Sequence, residues 1–211
     1  MNLCVDKVGF LIDNIYNRLY KGKVFLLRVI AGELRGRRLV APEGLETRPT
    51  SDKVKEALFS IIQFELEGAE FLDLYAGSGQ MGIEAISRGA EKSVFVDFGK
   101  KPCECIKQNV VSLGISDKAE IYQKGVEDFL STHNKKYDFI FLDPPYKKDM
   151  INPLLERVAE LCKDSGAIIC EISRGEDVFE EVGGFYLKKR YRYSKTELAV
   201  FRKRDGETEI Y

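Results

Sequence analysis

The chain has 211 residues, 44% hydrophobic and 32% charged, enough for one sizeable core with a small appendage. Its formal net charge of −1 excludes a globally basic coat, so a polyanion would have to be met by local patches. Five cysteines (Cys4, Cys103, Cys105, Cys162, Cys170) without CxxC spacing, and no leader with a basic start and cleavage site, argue against a disulfide framework and for a reduced, cytoplasmic chain with no membrane partner.

Residues 5–20 place Val8, Leu11, Ile12, Ile15 and Leu19 at helical spacing, so residues 1–27 read as an extension, helical or disordered. Two apolar runs, 24–31 and 37–41, flank Gly32-Glu-Leu-Arg-Gly36 and predict a β-hairpin carrying Arg28, Arg35, Arg37 and Arg38. Residues 28–55 hold seven basic against four acidic residues, a patch suited to phosphates or simply a solvated face. Thr47, Arg48, Pro49 and Thr50 form a polar loop, because the residue before a proline avoids helix, and Thr50 or Ser51 can cap a helix running to Leu66. An anion is welcome at such a helix start, and a plain capping loop is the alternative.

From Phe71 the pattern becomes strand, glycine turn, helix. Asp73 stands near the end of a buried run; Gly77, Gly79 and Gly82 follow, and a helix spans Gln80–Ser87. A carboxylate ahead of the glycines would repel a pyrophosphate but suits an amine, a hydroxyl or a cation. Ser93–Asp97 is a second strand ending in an acid, about where ribose hydroxyls are bound in such folds. Helix 100–113 should bury Cys105, Ile106, Val110 and Leu113, and residues 119–122 form a third strand before a short helix opened by Lys124-Gly-Val-Glu-Asp128. Cys103-Glu-Cys105 is too close for a helical metal pair and lacks a nearby histidine, so no metal is expected. The single histidine, His133, falls in the polar run 131–136 and reads as a surface loop.

Phe139-Ile-Phe-Leu142 is a fourth buried strand that opens into Asp143-Pro144-Pro145-Tyr146. Two prolines stop the strand and stiffen the frame, so the Asp143 carboxylate and the Pro144 carbonyl can present two acceptors to one planar NH2 group, with the Tyr146 ring available for stacking. A tight turn after a core strand is the alternative. Helix 150–162, strand 167–172, a short helix 176–182 and strands 186–193 and 197–202 complete the chain; residues 186–204 carry eight basic residues against one acid. The expected fold is α/β, a Rossmann-like doubly wound sheet of seven strands, mixed, with a C-terminal antiparallel hairpin and an N-terminal hairpin appendage. The expected divisions are 1–27, 28–50 and 51–211.

Glycine loop, Asp97 and Asp143-Pro-Pro-Tyr146, in that order on successive strand ends, resemble a Rossmann-like S-adenosylmethionine methyltransferase acting on an exocyclic amine. More narrowly, Arg28-Val-Ile-Ala-Gly32, Arg35-Gly-Arg37, Thr47-Arg-Pro-Thr50, Glu56-Ala-Leu-Phe59, Asp73-Leu-Tyr-Ala-Gly-Ser-Gly79, Ser87-Arg-Gly-Ala90 and Thr196-Glu-Leu198 resemble the bacterial 16S ribosomal RNA guanine-N2 methyltransferase family. The resemblance covers about residues 28–203. It implies that Asp73, Tyr75, Ala76, Gly77, Gly79, Asp97 and Asp143 contact S-adenosylmethionine, with Gly125, Val126 and Glu127 beside the adenine. Gly125 departs from the family's usual Asp or Asn.

Catalysis would fall to Asp143, Pro144, Pro145 and Tyr146, and RNA contact to Arg28, Arg35, Arg37, Arg48, Pro49 and Thr50, in a monomer acting on 16S rRNA in small-subunit particles. An ordinary carboxylate pKa of about 4 would leave Asp143 charged near neutral pH without tuning. DNA adenine-N6 methylation, protein glutamine-N5 methylation and a non-catalytic RNA-binding module are the rival readings.

Overall fold

The computed structural model describes residues 27–42, 50–145 and 149–204. The helix expected within residues 5–20, and Cys4, Thr47, Arg48, Pro49 and Tyr146, lie outside the described residues.

The hairpin comes first, as β1 (Leu27–Arg28) and β2 (Arg38–Leu39), paired antiparallel and separate from the main sheet. Its ladder is shorter than the apolar runs suggested because the next amides are diverted: Ile30 and Ala31 both donate to the Glu84 carboxylate at 2.9 Å, and Leu34 donates to the Ser87 hydroxyl at 3.0 Å. Helix α1 (Asp52–Ile62) starts at Ser51, whose hydroxyl accepts from the Val54 amide, and it ends one turn before Leu66.

The main body alternates β3 (Glu70–Leu74), α2 (Gln80–Ser87), β4 (Lys92–Asp97), α3 (Lys100–Leu113), β5 (Ala119–Gln123), α4 (Val126–Thr132), β6 (Tyr137–Leu142), α5 (Asn152–Leu161) and β7 (Cys162–Ser173), then β8 (Glu181–Val182), β9 (Phe185–Tyr193) and β10 (Thr196–Lys203). One sheet takes the order β5-β4-β3-β6-β7-β10-β9-β8. Strands β3 to β7 are parallel and the last three antiparallel.

The sheet has eight strands, not seven, and residues 176–182 hold no helix. Gly183 and Gly184 both take positive φ (54° and 80°), closing a two-residue turn that pairs Val182 with Phe185 and recruits Glu181–Val182 as an edge strand. The short helix expected over 176–182 is thus replaced by irregular chain that ends in an edge strand.

Period-two alternation decides which side chains meet which helices. Phe71, Phe139, Phe141 and Ile169 face Val54, Leu58, Phe59 and Ile62 of α1. Leu72, Leu74, Ile140, Leu142 and Cys170 face the other layer, with Phe129, Leu155 and Val158 of α4 and α5. Asp73, two residues on from Phe71, and Glu171, two on from Ile169, therefore point toward the α1 layer. Among the described residues no helix is long and apolar enough to cross a membrane.

Candidate active site

The chain runs outward from β3 to β4 and β5, then returns to β6 on the far side of β3. The carboxyl ends of β3 and β6 thus flank the switch point, where open α/β sheets hold ligands. Asp73, Asp97 and Asp143 all stand at that edge.

Asp73 is fully buried, and its carboxylate accepts the Gly82 amide of α2 at 3.0 Å. Burial outweighs that bond and, with help from Asp97, raises its pKa to about 8. Asp97 accepts the Gly77 amide at 3.0 Å and the Gly99 amide at 2.8 Å, tying the loops after β3 and β4 to one carboxylate. Tyr75 between them takes a left-handed backbone with φ 64°, a conformation bulky residues rarely adopt. Its hydroxyl is buried without a hydrogen-bond partner among the described residues, and burial, then the Glu127 carboxylate, push its pKa to about 12. It therefore remains a donor, and an unmet buried hydroxyl costs about 1–3 kcal/mol until an acceptor arrives.

The glycines divide their work. A Cβ on Gly82 would lie 2.3 Å from the Phe95 ring, and one on Gly79 3.1 Å from Ile106, so both are needed for helix–strand packing. Gly77, with φ 56°, would bring an added Cβ only to ordinary contact with the Tyr75 carbonyl oxygen at 3.9 Å, so its left-handed backbone, not crowding, is what favours glycine there. Ala76 is buried, its amide donating to the Val96 carbonyl at 3.0 Å. Gly125 caps α4 next to buried Val126 and exposed Glu127. Phe98, directly after Asp97, is 76% exposed. Its only sequence signal was an apolar residue at the end of a strand, and it went unnoticed beside the acid.

Asp143 follows β6, with Pro144 buried and Pro145 exposed. Thr50, expected to face RNA, is instead buried against this acid: its hydroxyl lies 3.2 Å from Asp143 Oδ2 and 3.1 Å from Glu171 Oε2. Glu171 escaped the sequence reading because it sits inside an apolar strand. Register would have found it, since Leu142 pairs with Cys170 and the next residues on the two strands are Asp143 and Glu171. Asp143 opens partly to solvent, yet desolvation of its carboxyl, then the Glu171 charge, hold its pKa well above the ordinary range. The expectation of an untuned carboxylate is thereby corrected.

The hairpin arginines are not equivalent. Arg28 pairs with Asp52 at 3.2 Å, Arg37 donates to the Ser112 carbonyl at 3.1 Å, and Arg35 is exposed at the turn. Buried Glu84 docks the hairpin: besides the two amides it receives Lys55 at 3.5 Å and Arg88 at 2.9 Å, while Lys55 Nζ donates to the Arg28 carbonyl at 2.7 Å. His133 opens the loop 133–136 that follows α4, as expected, but its ring is turned inward. It lies part-buried, 2.6 Å from the Tyr137 hydroxyl and stacked on Phe129 at 4.3 Å.

The family Conserved hypothetical protein 95 matches residues 27–202. YlbH of Bacillus subtilis (strain 168) is 39% identical over 183 residues, spanning 84% of this chain and 100% of that protein. Ribosomal RNA small subunit methyltransferase D of Haemophilus influenzae is 36% identical over 143 residues, 66% of this chain and 72% of its own length. The chain belongs to the ribosomal RNA small subunit methyltransferase D family.

The crystal structure of HI0767 from Haemophilus influenzae superposes with a TM-score of 0.72 at 28% identity, covering 85% of this chain and 99% of that one. The methyl donor of such a family is S-adenosylmethionine, and the residues at the switch point fit it. A cation beside Asp73 would offset the cost of ionising a buried carboxyl, Asp97 offers carboxylate lone pairs to a diol, and Tyr75 lacks only an acceptor.

Proposed function

We propose that the chain uses S-adenosylmethionine to methylate the exocyclic N2 amine of a guanine in 16S ribosomal RNA. The observation that carries this reading is the Asp143 carboxylate at the end of β6, set in the proline frame beside the acids that suit the cofactor. Asp73, Tyr75, Ala76, Gly77, Gly79 and Asp97 would hold its methionyl and ribose parts, Gly125 to Glu127 and the Phe98 ring its adenine.

A guanine amine is a weak nucleophile because its lone pair is delocalised into the ring. Asp143 and the Pro144 carbonyl accept its two N–H bonds and draw the nitrogen toward tetrahedral geometry, so positioning and fixed dipoles supply most of the rate. S-adenosylmethionine held there would supply a methyl group on a sulfonium, with sulfur as the leaving atom that keeps the S–C electron pair. Asp143 then takes the proton that the methylated nitrogen sheds, and its raised pKa makes it a stronger acceptor than an exposed carboxylate. Tyr146 would stack a base splayed out of its helix. Arg28, Arg35, Arg37, Arg48 and Pro49 would meet the RNA around it.

The test is transfer of labelled methyl to undermethylated small subunits, compared with naked rRNA, DNA and protein, followed by mass spectrometry of the product nucleoside. N2-methylguanosine is expected from small-subunit rRNA, and Asp143→Ala abolishes turnover while cofactor binding persists. N6-methyladenine or methylglutamine as product, or full activity in Asp143→Ala, overturns the reading.

A further inference from the structure

Beside Glu171 a cavity of about 780 Å³ opens between the start of α1 and the β9–β10 turn, lined by Ser51, Lys53, Glu171, Arg192, Tyr193 and Lys195 among others. Its volume is within the usual range for small-ligand sites. Three of these side chains are cationic and one is aromatic, a lining suited to a nucleotide's phosphates and ring. Glu171 is the acid on this wall. It is 5% exposed and shares the Thr50 hydroxyl with Asp143, so one carboxylate borders both the amine-holding site and the cavity.

We propose that this cavity admits the target nucleotide and that Glu171 reads it as guanine by accepting the N1–H beside the N2 amine held at Asp143. The inference rests on the guanine-N2 reading given above. Guanine presents N1–H and N2–H2 as adjacent donors on one edge, and a carboxylate is an acceptor with room for several donors, so Glu171 can take N1–H whatever else it bonds. Adenine and 2-aminopurine carry a lone pair at N1. Placed in the same pose, that lone pair would face the Glu171 carboxylate and leave it without its hydrogen bond. Sites built to bond a particular donor reject analogues lacking it far more strongly than apolar pockets reject a missing methylene. Thr50 sets the spacing of the two carboxylates, and Lys53, Arg192 and Lys195 steer the flanking phosphates.

The experiment uses small subunits reconstituted with rRNA bearing either guanine or 2-aminopurine at the position that wild-type protein is found to methylate. Both bases carry the exocyclic 2-amine; 2-aminopurine lacks the N1 proton together with the C6 oxygen, and the Glu171 variants separate the N1 contribution from that of the oxygen. Wild type should lose about 100-fold or more in kcat/KM on 2-aminopurine. Glu171→Gln, whose amide can turn its NH2 toward a bare N1, should bring the two bases within about 10-fold of each other, while Glu171→Ala lowers both alike. Lys195→Glu should raise KM for the RNA, and reduce its salt dependence by about one contact, without changing cofactor affinity. Equal rates of wild type on the two bases, or a Glu171→Gln protein that discriminates as strongly as wild type, overturns the role of Glu171. A wild-type product other than N2-methylguanosine overturns instead the reading on which it rests.

Discussion

Asp143, the residue after β6, and Glu171 of the adjacent strand β7 converge on one hydroxyl, that of Thr50, at 3.2 and 3.1 Å. Two carboxyls that share a buried site do not ionise independently, and Asp143 is pushed well above the ordinary carboxylate range by desolvation and by Glu171.

The first consequence is a pH profile. Only ionised Asp143 can accept the amine, so log kcat should rise with pH, with a slope near one, until its raised pKa is passed. Desolvation, Glu171 and Asp73 raise that pKa and Thr50 lowers it. Glu171→Gln removes a raising influence and should move the limb to lower pH; Thr50→Val should move it up. Single-turnover rates with saturating cofactor from pH 5 to 9 measure both, and a limb left in place by Glu171→Gln refutes the coupling.

Asp73 yields a second prediction, on stability. Its folded pKa of about 8 exceeds the value near 4 of an unfolded chain, so between those limits the folded state binds the extra proton. Stability contributed at low pH is therefore lost as pH rises from about 4 to about 8. Asp73→Asn keeps an acceptor for the Gly82 amide without the charge. Its Tm should match wild type near pH 4, exceed it by several degrees at pH 8, and its cofactor affinity should collapse. A Tm difference that shrinks toward pH 8 contradicts the assignment.

The parallel core and its ligand edge were readable from sequence because buried strands declare themselves as apolar runs, and Asp73, Asp97 and Asp143 each stand at or near the end of one. Helix 100–113 was equally plain, since its apolar positions recur at helical spacing, and helix 80–87 followed from the glycine turn before it. What was illegible depends on long-range pairing. Glu171 becomes a neighbour of Asp143 only through the β6–β7 register, Glu84 looks like an ordinary helix acid until the hairpin is laid on it, and Thr50 turns inward because two carboxylates await its hydroxyl. The Gly183-Gly184 turn, by contrast, was a local signal, two glycines in succession.

Glu84 supports a third prediction. Removing it leaves Lys55 charged and buried and the Ile30 and Ala31 amides without their acceptor. Breaking a buried pair in this way costs about 3–5 kcal/mol, or about 10 °C in Tm for a chain of this size. Glu84→Ala should show that loss, with faster amide exchange at Ile30, Ala31 and Leu34, whereas Arg28→Ala, which breaks an exposed pair with Asp52, should cost less than about 1 kcal/mol. Equal effects from the two would show that the hairpin is not anchored at Glu84.

Gly125 offers the fourth, a gain rather than a loss. It caps α4 with φ −60° and ψ 148°, a backbone any residue adopts, and an added Cβ would meet Asp128 Oδ2 at 3.6 Å and Glu127 Oε2 at 3.9 Å, ordinary contact distances. A side chain is therefore admissible, and its amide oxygen could accept the adenine amine of the cofactor. Asparagine should serve better than aspartate, because a third carboxylate beside Glu127 and Asp128 would be repelled. One new hydrogen bond of about 1 kcal/mol lowers Kd for S-adenosylmethionine about fivefold. The side chain has a competing use, capping the helix, which over glycine adds only a few tenths of a kcal/mol and leaves affinity alone. Calorimetric titration with the cofactor, set beside the Tm of the free protein, separates the two. Gly125→Asn should bind tighter at nearly unchanged Tm, and a raised Tm with unaltered Kd would place the side chain on the helix end instead of the adenine.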